Sequence, residues 1–155
     1  MEPQEIRDVL EVCEFFKGLG ARQINDVVQL CRVRTCEGGE SIFQQGDLGE
    51  EIYVIVDGRV LLERTVNLGG RTGSVTLDVL GKGRALGCWS TVLNEPHRLM
   101  STALCQKQTR LLVFKGADLR GMMMHDKELG FKLLENFCFL LRDRIQAAYG
   151  AMERI

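Results

Sequence analysis

The side chains able to ligate a metal or act as strong nucleophiles are six cysteines (Cys13, Cys31, Cys36, Cys88, Cys105 and Cys138) and two histidines (His97 and His125). Four residues separate Cys31 from Cys36, and both histidines lie far along the chain. The four ligands at regular spacing that a structural zinc site needs are not assembled, so no metal is expected. There is no C-x-x-C, and four of the cysteines fall in apolar or periodic stretches, the pattern of buried free thiols in a reducing compartment. Spacing suggests no carboxylate pair and no nucleophile–base constellation, so the chain is not expected to be an enzyme. One segment does concentrate functional side chains: Leu86-Gly87-Cys88-Trp89-Ser90-Thr91-Val92-Leu93-Asn94-Glu95-Pro96-His97-Arg98-Leu99-Met100. Arg98 is either an anion ligand or a solvated loop arginine. His97 is either a donor to an anion when protonated or an exposed loop histidine. Trp89, the sole tryptophan, either stacks on a planar ligand or forms core or pocket wall. Cys88 is either a sensitised thiol at a helix start or a small filler.

The elements that must hold this segment follow from periodicity. Glu5 to Phe16 places Ile6, Val9, Leu10, Cys13 and Phe16 on one helical stripe, and Ala21 to Cys31 does the same with Ile24, Val27, Val28 and Cys31. From Arg32 short β-branched runs alternate with glycine turns. Strands are expected at Ser41–Gln44, Ile52–Val56, Arg59–Thr65, Ser74–Val79 and Thr109–Phe114. Asp57-Gly58 reads as the tight turn of a hairpin between the second and third of these. Ala117–Met124 is expected as a short helix, Met122-Met123-Met124 packing on the β unit. Asp126 is a fair N-cap for a long last helix. Along that helix Leu134, Cys138, Leu141, Ile145, Ala148, Met152 and Ile155 are spaced by four and three in turn, an a/d seam that is either a homodimer interface or one helix laid along its own domain; the strict spacing favours the homodimer.

The chain has 155 residues, enough for one domain with a working core, and its 45% hydrophobic and 26% charged composition is that of a soluble globular protein. A net charge of −1 gives no basic field for nucleic acid or an acidic membrane surface. No run approaches the ~18 apolar residues of a membrane span. The start, Met1-Glu2-Pro3-Gln4-Glu5, lacks the basic region of a signal peptide, so a cytoplasmic location is expected.

Several segments, in order, resemble the cyclic-nucleotide-binding domains of the catabolite-activator (Crp/Fnr-like) superfamily. Phe16-Lys17-Gly18-Leu19 looks like the family's opening motif. Gly39-Glu40-Ser41-Ile42-Phe43-Gln44-Gln45-Gly46-Asp47 is similar to its G-E-x-I-F-x-Q-G-D segment, and Tyr53 to Val60 to its Y-x-I-x-x-G-x-V. Leu80-Gly81-Lys82-Gly83, Leu86-Gly87 and Pro96 follow at the expected spacing. The resemblance implies a mainly β fold with flanking helices: a double-stranded β-helix, or jelly-roll-like β-roll of eight strands. N-terminal helices would occupy residues 1–31, the roll 32–115, and the C-terminal helices, the last one long, 116–155.

It also implies a cyclic phosphate held by a short helix and loop, for which a helix start with free N–H groups, an adjacent glycine and a basic side chain are suited. The implied ligand-binding residues are Gly87, Cys88, Trp89, Ser90, His97, Arg98 and Leu99. The family cassette usually reads F-G-E-L-A-L and then P-R-S-A, its glutamate on the ribose 2′-hydroxyl and its arginine on the phosphate. Here Cys88 stands at the glutamate position, and a thiol does not replace carboxylate oxygens. His97 stands at the arginine position, with Arg98 one place later. Gly87-Cys88-Trp89-Ser90 resembles a subgroup with G-W-S in place of G-E-L, usually with an arginine two places after the proline. If Pro96 starts a strand directly, Arg98 points away from the site that His97 occupies; in an irregular loop it reaches in.

The expected function is a ligand-sensing regulatory domain. It would bind a cyclic nucleotide (cAMP or cGMP) or related phosphorylated small molecule and signal through its C-terminal helix, where Arg142 or Gln146 would close over the base. No other cofactor is expected. The expected output is a protein partner, not DNA, because relatives continue into a helix-turn-helix where this sequence stops. The alternative is a degenerate domain without nucleotide binding that acts as a protein-interaction or dimerisation scaffold.

Overall fold

In a computed structural model, residues 1–87 and 89–155 are described. Two short helices open the chain, α1 (Pro3–Val12) and α2 (Ala21–Val28). Eight strands follow among the described residues: β1 (Arg32–Cys36), β2 (Ser41–Phe43), β3 (Glu51–Asp57), β4 (Val60–Asn67), β5 (Thr72–Leu80), β6 (Ala85–Gly87), β7 (Thr102–Cys105) and β8 (Thr109–Lys115). A five-residue 3-10 helix, Trp89–Leu93, lies between β6 and β7. Helices α3 (Gly116–His125) and α4 (Lys127–Met152) close the chain. The strands form two four-stranded sheets, ordered β1-β8-β3-β6 and β2-β7-β4-β5, with every pairing antiparallel. This is the expected β-roll.

The runs of β3 and β8 are apolar almost throughout because both of their faces are buried. Ile52, Val54, Leu112 and Phe114 pack with the helices, while Tyr53, Ile55, Leu111 and Val113 pack against the second sheet. Side chains alternate across a strand, so a continuous apolar run serves two cores at once. Phe15 and Phe16, fully buried, plug the helix-side core just after α1; Phe16 lies 5.0 Å from Phe114.

Two expectations about local structure are corrected. The first helix ends at Val12, not Phe16, and the two phenylalanines enter the core from a turn. Asp57-Gly58 is not a hairpin turn: β3 and β4 lie in different sheets. Gly58, at φ +120°, carries the chain round that corner directly over Thr109, whose Oγ1 lies 2.2 Å from where a Cβ would stand. The hairpin is the next connection. There β4 and β5 pair from Val60↔Leu80 to Asn67↔Thr72 around Gly69 and Gly70, both at positive φ.

Asp126 does cap α4, its carboxylate accepting from the Leu129 N–H at 3.1 Å. The root of α4 is buried through Leu129, Leu133, Phe137 and Leu140. Asn136, 2% exposed, donates from Nδ2 to the carbonyls of Phe15 (2.9 Å) and Lys17 (2.8 Å), fastening the helix to the turn after α1. The a/d seam is not the stripe that packs on the domain. Leu134, Cys138, Ile145, Met152 and Ile155 are exposed, and the buried stripe runs one position away from them.

Candidate ligand-binding site

A cavity of about 600 Å³ lies between the second sheet and the distal half of α4, within the usual range for small-molecule sites. Gly87, Trp89, His97 and Leu99 line it, four of the residues expected from sequence. Gly87 takes φ +130°, and a Cβ there would stand 2.4 Å from the Glu51 carbonyl oxygen. Only glycine fits that approach without strain. Trp89 is half-buried, its ring 5.9 Å from Phe15 and 5.5 Å from Phe137 on α4. It is therefore both pocket wall and core.

Ser90 Oγ lies 2.5 Å from His97 Nδ1 and also donates to the Glu95 carbonyl, so the loop between them is closed on itself. Thr91 is buried against Gly116, where a Cβ would meet its Oγ1 at 1.8 Å, which seats the 3-10 segment on the start of α3. Cys88 lies outside the described residues.

Arg98 is not brought to the cavity. It is exposed, forms a bridge with Leu48, and donates from Nη1 to the Gly46 carbonyl at 2.8 Å. His97 and Leu99, on either side of it, face inward. The alternation is that of an extended chain, as the strand reading of Pro96 onward requires. Leu99 is held on both sides, its N–H on the Asp47 carbonyl and its carbonyl on the Gly46 N–H, each at 2.8 Å.

Three charged residues that sequence reasoning missed also line the cavity: Arg64 on β4, Asp78 on β5 and Arg144 on α4. Arg144 is largely buried and belongs to an ion cluster. Its Nη2 donates to Glu14 at 3.0 Å and to the Ala85 carbonyl at 2.5 Å, while Nη1 lies 3.6 Å from Asp78. Arg84 Nε donates to the other oxygen of Glu14, and Arg84 Nη2 is 3.5 Å from Asp78. Burial lowers the pKa of Arg144 from its ordinary value, and Glu14 opposes that shift. The expected closers of the site, Arg142 and Gln146, do not line the cavity. Arg142 pairs with Asp143 and lies over Phe139. The face of α4 turned to the cavity carries Leu141, Arg144, Ile145 and Ala148. Arg64 had a legible signal: it sits in a period-two row with Leu62 and Val66.

The cyclic nucleotide-binding domain profile matches residues 33–126, which takes in the roll, the 3-10 segment and α3. The chain belongs to that family. It is 34% identical over 100 residues to the "Cyclic AMP receptor protein" of Thermus thermophilus, a match covering 64% of this chain and 44% of that protein. The crystal structure of the Thermus thermophilus catabolite activator protein superimposes with a TM-score of 0.69 at 28% identity, covering 90% of this chain and 62% of that one. A cyclic nucleotide-binding domain from Methylobacillus flagellatus gives a TM-score of 0.78 at 18% identity over 96% of this chain and 80% of that one, a likeness of fold. The chain thus spans less than half the length of the curated receptor it matches. Among the described residues, no helix is long and apolar enough to cross a membrane.

Proposed function

We propose that this domain is a small-molecule sensor rather than an enzyme, and that it takes a cyclic nucleotide or another phosphorylated small molecule into the cavity beneath α4. The observation that carries this reading is the meeting of Gly87, Trp89 and His97, from the family's phosphate-binding segment, with the distal half of a long helix around one cavity. A ligand there touches both the rigid roll and α4. It can therefore favour one helix position by differential contacts, which a ligand-driven change requires. Trp89, in ring contact with Phe137, is the route from ligand to helix. The Thermus thermophilus relative is called a cyclic AMP receptor, and this supports cAMP and cGMP as the first ligands to test.

In this reading His97 and the backbone N–H groups of Gly87, Cys88, Trp89 and Ser90 meet the phosphate, Leu99 forms wall, and Arg98 braces the loop against Gly46. The output is a protein partner in the cytoplasm. Assembly as a homodimer through α4 is part of the same proposal. It is supported by the exposure of Phe131 (70%), Phe139 (50%) and Leu134 (37%) on the helix root, surface that a second copy would cover.

The test is calorimetry and thermal shift with cAMP and cGMP on the wild type, His97→Ala and Arg98→Ala. A ligand at a hundredfold excess over Kd adds ~2.7 kcal/mol of stability. His97→Ala is expected to weaken binding more than Arg98→Ala. No shift with either nucleotide at millimolar concentration removes the cyclic-nucleotide form of the proposal. A monomer by light scattering at high protein concentration removes the dimer.

A further inference from the structure

We infer that the ligand of this cavity is a phosphorylated amphiphile, whose anionic head meets Arg64 and whose extended apolar body lies under α4. The inference rests on the sensing reading above but sets the anionic group at Arg64 rather than at His97 and the backbone N–H groups of the 3-10 segment. The sheet side of the cavity is built from one face of the β4–β5 hairpin, where Leu62 and Val66 alternate with Arg64 on one strand and Val75 and Leu77 line the other. The roof is Leu141, Ile145, Ala148, Met152 and Ile155, all from α4 and the residues that follow it. Three of these are left wet: Ile145 is 50% exposed, Met152 62% and Ile155 63%. An apolar body between roof and sheet would remove that surface from water, which is where its affinity would come from.

The charges point the same way. Asp78 and Arg144 face each other in an ion cluster with Arg84 and Glu14, in which Arg144 Nη1 is buried without a hydrogen-bond partner among the described residues. Arg64 forms no ion pair among the described residues. Its Nη1 donates to the Met100 carbonyl, beside Ser101, which also lines the cavity. The guanidinium is a fork of five N–H donors, so further donors remain for a phosphate. The cavity thus offers an uncompensated cation set in an apolar wall.

The test titrates the whole chain with octyl, decyl and dodecyl phosphate below their micelle concentrations, alongside cAMP and cGMP. Emission of Trp89, the sole tryptophan and a cavity-wall residue, is followed, with calorimetry as a second readout. Affinity is expected to rise about fourfold per added methylene. Arg64→Gln is expected to weaken dodecyl phosphate roughly tenfold or more. Ala148→Phe, which narrows the space beneath the roof, should abolish binding with the helical circular dichroism unchanged; if that variant unfolds, Arg64→Gln on an exposed strand position still decides. Affinity independent of chain length, or unmoved by Arg64→Gln, overturns the inference. Binding of cAMP or cGMP without binding of the alkyl phosphates also overturns it, and leaves the sensing proposal standing. No response to any of the five overturns the inference together with the cyclic-nucleotide form of the sensing proposal.

Discussion

Glu14→Gln tests whether the ion cluster truly ties α4 to the roll. Glu14 holds two guanidinium groups, Arg84 and Arg144, and its side chain is 19% exposed against 13% for Arg144. The substitution keeps shape and removes charge. One amide oxygen remains to accept, at neutral strength, where two charge-assisted bonds stood. Such bonds contribute about 1.5–3 kcal/mol each against roughly 1 for a neutral one. Asp78 stays within 3.6 Å of Arg144 and offsets part of the loss. The expected cost is therefore about 2–3 kcal/mol, or about 5–10 °C in Tm for a chain of this size. Urea unfolding of Glu14→Gln, Arg144→Met and the double variant measures it. Because a buried charge left without its partner is the expensive species, the double variant should be less destabilised than the two single costs added, by ~1.5 kcal/mol or more. A cost below about 0.5 kcal/mol for Glu14→Gln, or strict additivity, would refute the reasoning.

Further outcomes are expected at other positions. Gly87→Ala should cost about 1–3 kcal/mol by urea unfolding and weaken any cavity ligand, because its φ of +130° and the Glu51 carbonyl both exclude a Cβ; unchanged stability would mean that the turn relaxes freely. The Leu129 N–H, and after it Gln23, hold the Asp126 carboxyl below its ordinary pKa. Its stabilisation is thus present above the unfolded value and lost as pH falls through the lower folded one. The stability gap between wild type and Asp126→Ala should narrow from pH 6 towards about pH 3, and a constant gap would contradict the capping role. Burial pushes the Cys13 thiol up to about 12, while Cys138 is exposed. Iodoacetamide at pH 8 should label Cys13 only after unfolding, and Cys138 in the native monomer but not in a dimer closed over the seam, as peptide mapping would show.

Much of the roll was legible because its deepest strands are chemically uniform. Ile52–Val56 and Thr109–Phe114 are apolar enough to be read at once. β1 escaped because Arg32-Val33-Arg34-Thr35 is the polar edge of its sheet, and charge on an edge hides a strand while guarding it. β6 and β7, three and four residues long, are too short for any period to register. The Asp57-Gly58 error has a different cause: a dipeptide specifies local backbone, but the sheet to which the next strand pairs is set by long-range burial. Gly87 and His97, singled out from sequence, line the cavity, as do Trp89 and Leu99. Arg64 and Arg144 could not be assigned to a cavity, since that depends on how α4 crosses the hairpin. The seam was read correctly as an apolar stripe, yet its period says nothing of what faces it. Its distal half looks onto a cavity and its root onto solvent.

Two separate anchors, at Asn136 and at Arg144, decide how α4 can move. Two carbonyls of the turn after α1 hold Asn136, and Glu14 with the Ala85 carbonyl holds Arg144 about two turns further on. From Arg144 to Met152 the helix runs on for about 12 Å at 1.5 Å per residue. With the Arg144 cluster intact that stretch stays tied to the roll; once the cluster opens, a tilt of about 10° about Asn136 would carry Met152, about 24 Å away, by roughly 4 Å. A partner that gripped the helix near Met152 would feel that displacement in full. One seated on Phe131 and Leu134 would feel almost none, so the position of a partner along this one helix decides how much of the ligand's binding energy it can sense.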